Sequence, residues 1–175
     1  MSARTLKAKG FTLVEILIVV VILGILAAIV IPQFTSASES AKASSLVTQL
    51  QSLRSQLELY QLEHNGDYPG LNAAGTGLVS SADFWADLTG TTDVDGAAAT
   101  TGITYGPYLQ KEIVNPFEDT STIVASIGTV DAGTGAAADV GFIYDPLTGE
   151  IKAVVEAAKA ADVNFDTADG DIATY

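Results

Sequence analysis

Lys9-Gly10-Phe11-Thr12-Leu13-Val14-Glu15-Ile16-Leu17-Ile18-Val19-Val20-Val21-Ile22-Leu23-Gly24-Ile25-Leu26-Ala27-Ala28-Ile29-Val30-Ile31-Pro32 is the most apolar part of the chain. Between Phe11 and Ile31 only Thr12 and Glu15 are polar. Coiled as a helix at about 1.5 Å per residue, this run reaches roughly 31 Å. A bilayer's hydrocarbon core is about 30 Å thick, so the segment is long enough to cross it. Arg4, Lys7 and Lys9 precede it with no acid among them. That bias places the amino terminus in the cytoplasm and everything beyond Pro32 across the membrane.

Outward from this run the chemistry changes sign. From Pro32 to Tyr175 there are 20 acids against Lys42, Arg54, Lys111, Lys152 and Lys159, a net charge of −15 within a whole-chain −13. Such a domain repels nucleic acid and anionic lipid, and no basic patch offsets it. The chain has no cysteine, which excludes disulfides, thiolate metal sites and cysteine nucleophiles. A single histidine, His64, excludes a multi-histidine metal centre. At 175 residues the chain can build one modest core plus an appendage.

A cleaved secretory signal would need an apolar region of only about 7–15 residues. Here the run is longer, and the small-residue site Ala41-Lys42-Ala43 lies well past its end. A plain membrane anchor explains the length but leaves Glu15 unexplained. A carboxylate among lipid tails costs a few kcal/mol, and such groups usually face a functional partner. Glu15 stands one helical turn beyond Phe11. A cut before Phe11 would create a positive amine within reach of that carboxylate, in the same chain or in a neighbour.

The stretch Lys9-Gly10-Phe11-Thr12-Leu13-Val14-Glu15 resembles the leader and cleavage motif of type IV pilins and type II secretion pseudopilins. The resemblance covers residues 9 to about 34. It implies that a prepilin peptidase cuts after Gly10 and methylates Phe11 as the new amino terminus. By the same resemblance Glu15 neutralises a neighbour's terminal amine during filament assembly. Gly24 and Pro32 fall where the family's helix loosens inside the filament. Glycine weakens a helix by about 1 kcal/mol relative to alanine, and an interior proline by ~3 kcal/mol or more, which suits that role. Ser36-Ala37-Ser38-Glu39 has capping-box spacing, but a continuous helix is expected in the isolated subunit.

Beyond Pro32 the helical period continues without the membrane character. Leu46, Leu50, Leu53, Leu57 and Tyr60 make one apolar stripe, expected to pack on the protein's own sheet. Asn65-Gly66 supplies a left-handed stop, and Pro69 prevents resumption. The helix should run from Phe11 to about His64, roughly 80 Å, with His64 as a solvated residue of its last turn. Farther on, Ser80–Leu88 reads as a short amphipathic helix stopped near Gly90. Residues 91–102 read as a loop. Thr122–Val130, Gly141–Tyr144 and Glu150–Val155 are β-rich, and Asp145-Pro146-Leu147-Thr148-Gly149 makes a hairpin turn. Residues 157–161 are too few to decide a helix.

The expected fold is α+β, of the pilin type, with a long amino-terminal helix packed on a small antiparallel sheet. Its parts are a leader (1–10), a transmembrane and polymerisation helix (11–32), an amphipathic continuation (33–64) and a periplasmic head (65–175). Asn65-Gly66-Asp67-Tyr68-Pro69, Gly106-Pro107-Tyr108-Leu109 and Asn115-Pro116-Phe117 are similar to the head of the major pseudopilin. The loops around 91–102 and 128–139 depart from the short pseudopilin pattern. The missing cysteine pair departs from many adhesive type IV pilins.

Asp162, Asn164, Asp166, Asp169 and Asp171 crowd oxygen ligands near the carboxyl end. The EF-hand pattern fails, with Thr167 at its sixth position and Ala173 at its twelfth. Resemblance to the calcium loop of major pseudopilins nominates Asp166, Asp169 and Asp171 as Ca2+ ligands. No nucleophile motif accompanies His64 and no phosphate-binding loop is present, so no enzyme is expected.

The favoured function is a subunit of a type II secretion pseudopilus, localised first in the bacterial inner membrane and then in a periplasmic filament. Its implied partners are further copies of itself, minor pilins or pseudopilins, the prepilin peptidase, and a membrane platform protein with a cytoplasmic assembly ATPase. The alternatives are the major pilin of a surface pilus, and a tethered binding domain that never polymerises. Glu15→Ala discriminates, since only a filament subunit needs that charge.

Overall fold

The computed structural model describes residues 10–71, 77, 80–99, 101–125, 139–156 and the backbone of 172–174. The chain divides into two compact units, Met1–Ser38 and Glu39–Tyr175. Helix α1 spans Leu13–Glu63 and contributes to both.

In the first unit the apolar side chains of α1 have no protein to cover them. Leu13 through Ile31 are more than two-fifths exposed at every large apolar position. The one stretch of the described residues with the length and composition to cross a membrane lies in this helix. Pro32 sits inside α1 without ending it. The missing proline N–H leaves the helix one hydrogen bond short at that turn. Two hydroxyls then bond back along the backbone: Thr35 Oγ1 donates to Ile31 O and Ser36 Oγ to Pro32 O, each at 3.2 Å. The helix is continuous in hydrogen bonding through Ser36–Glu39, as expected, with no restart there.

In the second unit α1 presents the anticipated stripe. Leu46, Leu50, Leu53, Leu57 and Tyr60 are all buried in one cluster with Phe84, Trp85, Leu88, Phe142, Tyr144, Ile151 and Val155. The helix ends where the sequence marked it: Asn65 and Gly66 take positive φ of 56° and 96°, and Gly66 N–H donates to Gln61 O. Helix α2, Ser81–Thr89, is capped by Ser80, whose hydroxyl accepts from Asp83 N–H and donates to the Asp83 carboxylate. Its buried residues Phe84, Trp85 and Leu88 lie on the face the sequence predicted.

The sheet holds strands β1 (Ile123–Ala125), β2 (Phe142–Tyr144), β3 (Ile151–Val155) and β4 (Ile172–Thr174) in that order. It is mixed, which corrects the expectation of an antiparallel sheet. Only β2 and β3 pair antiparallel, whereas β1–β2 and β3–β4 are parallel. Connection length is the physical reason. A tight turn must reverse direction, but residues 126–141 and 156–171 are long enough to carry the chain back to the same end. The hairpin turn is as expected: Asp145 N–H donates to Glu150 O, and its carboxylate accepts from Leu147 N–H. Gly149 has φ +74°, and a Cβ there would overlap the Tyr68 ring, so no other residue fits.

Asn115 ties an irregular segment to the sheet. It is fully buried, its amide donates to Gly141 O and Val154 O, and its Oδ1 accepts from Phe117 N–H. Asn115→Ala removes the amide donor to Val154 O, the acceptor of Phe117 N–H and one of two donors to Gly141 O, which keeps Val154 N–H. We expect a loss of roughly 2–4 kcal/mol, read as a fall in denaturation midpoint at unchanged slope. A change within 0.5 kcal/mol would show that water replaces the amide at no cost.

Candidate functional site

The amino-terminal residues form a defined local structure rather than a bare apolar rod. Gly10 and Phe11 precede the helix and are exposed, so the peptide bond between them lies in open, non-helical backbone. Thr12 is the cap. Its hydroxyl accepts from Glu15 N–H at 3.2 Å, while its own N–H and O–H both donate to Glu15 Oε2, at 2.8 and 2.7 Å. This is a reciprocal capping box, threonine at the cap and glutamate three residues on. Sequence reasoning singled out Glu15 but missed Thr12 as its partner, although the Thr-x-x-Glu spacing was there to read.

Chemically, the arrangement makes a charged group tolerable next to a hydrocarbon-grade run. Two donors and the positive end of the helix dipole stabilise the carboxylate. Both bonds fall on Oε2. The glutamate's other oxygen is left as an acceptor for a second cation or amine. Gly24 lies mid-helix, with open space around the position a Cβ would take. Gly24 and Pro32 are both within unbroken α1, so the structure brings neither of them together with Glu15.

His64 departs from expectation. It is 1 % exposed rather than solvated. Its ring stacks on Tyr60 at 3.7 Å, and the edges of Tyr105 and Tyr108 close around it. Nδ1 donates to Tyr60 O and Nε2 pairs with the Thr92 hydroxyl, both at 2.8 Å. The reason is the aromatic residue one turn before it, which gives the ring a face to cover, and the 91–105 segment that folds over both. Both ring nitrogens of His64 are thus hydrogen-bonded within the protein.

Asp166, Asp169 and Asp171 lie outside the described residues. Among the described residues no group of three or more metal-capable side chains converges.

Compared with known proteins, residues 5–31 match the model of the prokaryotic N-terminal methylation motif. The class defined by this match and by the capped, exposed apolar helix is that of proteins carrying a prepilin-type amino terminus. Within that class the chain is similar to type II secretion system core protein G. Against the protein of Dickeya chrysanthemi it is 43% identical over 63 residues, 36% of this chain and 40% of that one. The Escherichia coli (strain K12) protein is 38% identical over 75 residues, 43% and 51% of the two chains. The Pseudomonas aeruginosa protein is 43% identical over 73 residues, 42% and 51%. The matched region spans about half the length of these relatives or less. No solved structure matches.

Proposed function

We propose that the chain is a structural subunit that polymerises through its amino-terminal helix into a type II secretion pseudopilus. The observation that carries this reading is the exposed, membrane-length first part of α1, residues 13–31, whose single charge, Glu15, is held at its capped start beside a methylation-motif junction. Before assembly the apolar run holds the precursor in the inner membrane, amino terminus in the cytoplasm. After cleavage between Gly10 and Phe11, the same side chains pack against those of other copies and form the dry centre of a filament. Glu15 then takes the terminal amine of a neighbour. Gly24 and Pro32 are the positions where the helix stretches within that packing. Lifting so apolar a helix from lipid is uphill, so assembly is coupled to a cytoplasmic ATPase acting through a platform protein, with minor pseudopilins as further partners. No catalytic step is assigned to the chain.

The test is genetic. Deleting the gene from its own bacterium should trap secreted proteins in the periplasm, and overproducing the chain should give shearable filaments that contain it. Normal secretion by the deletion strain, with loss of surface adhesion or motility instead, would replace the pseudopilus by a surface pilus. Neither phenotype and no filament would leave a tethered domain.

The acidic carboxyl-terminal residues are part of the same proposal. Asp166, Asp169 and Asp171 would supply carboxylates for one Ca2+, whose charge relieves their mutual repulsion. A cation bound only by the folded protein adds about 2.7 kcal/mol at a hundredfold excess over its Kd. The melting temperature of the full chain in detergent should therefore rise with calcium and rise less with magnesium. Asp171→Ala should remove the shift. Identical melting with calcium and with chelator would show a merely solvated acidic segment.

A further inference from the structure

The segment that departs from the short pseudopilin pattern is folded. Asp93 N–H donates to Ala97 O, Gly96 N–H to Asp93 O and Ala99 N–H to Thr91 O, while the Asp93 carboxylate accepts from Asp95 and Ala97 N–H. Thr92 exchanges backbone hydrogen bonds with Tyr105 and is pinned through its hydroxyl to His64. Against α2 this folded loop encloses a half-open cavity of about 350 Å³ lined by Ala86, Asp87, Gly90, Thr91, Thr92, Ala98 and Ala99.

One charge sits in that wall. Asp87 is half-buried, and burial raises its carboxyl above its ordinary value. Gly70 N–H donates to its Oδ2 at 2.7 Å. Among the described residues no lysine or arginine pairs with it. Thr91 Oγ1 donates to Ala99 O at 2.7 Å, which leaves its lone pairs to accept. The residues that line the cavity thus include one carboxylate, the Thr91 hydroxyl and three alanines.

We infer that this cavity receives the side chain of a lysine, its ammonium on Asp87 and Thr91 and its stem along Ala86, Ala98 and Ala99. Lysine fits better than arginine on the geometry. An ammonium is a compact point charge that one free carboxylate oxygen satisfies, whereas a guanidinium seeks both oxygens of a fork and Gly70 already occupies one. The donor is Lys111 of a neighbouring copy. Lys111 is exposed and has no ion pair among the described residues, while Lys42 lies over Phe117 and Lys152 pairs with Glu150. This assignment of a donor rests on the filament reading. The cavity's preference for an ammonium does not.

Two measurements separate these levels. In the first, the full chain in detergent is titrated with Nα-acetyl-lysine methylamide and followed by amide NMR. Saturable shifts are expected at Gly70, Ala98 and Ala99, about tenfold weaker for the arginine analogue and for Asp87→Asn. Shifts that do not saturate, or that survive Asp87→Asn unchanged, overturn the lysine site whether or not filaments form. In the second, Asp87→Cys and Lys111→Cys are combined in a chain that has no cysteine of its own. A disulfide needs Cβ atoms about 4 Å apart, closer than a lysine and its carboxylate hold them. The filaments are therefore treated with a short bis-maleimide, which should yield a ladder of cross-linked multimers that neither single variant gives. Filaments without that ladder overturn Lys111 as the donor. Should the unaltered chain form no filament, the proposed function fails and the titration alone decides the cavity.

Discussion

Glu15→Gln should insert, be cleaved and start its helix normally, yet yield roughly tenfold fewer filaments or less. The substitution is discriminating because of the capping box. Glutamine serves at the third helical position as glutamate does, so Thr12 keeps an acceptor for its N–H and O–H while the charge is lost. A charged hydrogen bond is stronger than a neutral one, and this one would be lost at every subunit joint. Glu15→Ala removes the charge and the glutamate half of the capping box, leaving only the bond from the residue-15 N–H to Thr12 Oγ1. Filament yield measured by immunoblot of sheared fractions orders the two variants. Equal failure makes charge the cause, failure of alanine alone makes the cap the cause, and normal filaments from both would show that apolar packing suffices.

Gly10→Val should accumulate as uncleaved precursor, with almost no mature chain detectable. The structure locates the origin of that effect. Gly10 is exposed, with nothing within 4 Å of the place a Cβ would take, so valine meets no clash among the described residues. The block must therefore arise where the peptidase closes on the backbone beside the scissile bond. Mobility on a gel reports cleavage, and mass spectrometry of the unaltered mature chain should find a methylated Phe11 at its start. A mature terminus near Ser44 would instead indicate an ordinary signal peptide. Efficient cleavage of Gly10→Val would show that the enzyme reads only the basic flank and the apolar run.

What the sequence made legible were the features governed by local pattern. The leucine stripe, the Asn65-Gly66 stop, the Ser80 cap and the Asp145–Gly149 turn each follow from a spacing of a few residues, and the structure has all of them. The features that escaped depend on partners distant in the chain. Strand direction is set by how long connections return, which no strand states by itself. His64 became buried because Thr92 and Tyr105, far along the sequence, fold over it. The Ala/Thr/Gly content of residues 91–102 reads as a loop, but does not tell that backbone bonds and the Asp93 carboxylate organise its described part. Thr12 is the exception. Its signal was local, and attention to the apolar run hid it.

The direction of the strands also orders the folding of the head. The β2–β3 hairpin closes over only six intervening residues, so it can form early and by itself. Strands β1 and β4 then join its two flanks as parallel partners across long connections, and non-local pairings of that kind are slow because chain closure precedes any gain in contacts. Until both arrive, the hairpin carries two open edges, each a template for pairing with another chain. A protein held in a membrane beside many copies of itself would be exposed to that mispairing. On the proposed filament reading, the order of events that avoids it is completion of both flanking strands before the helices are gathered, so that each subunit enters the polymer with both edges of its hairpin already paired by its own chain.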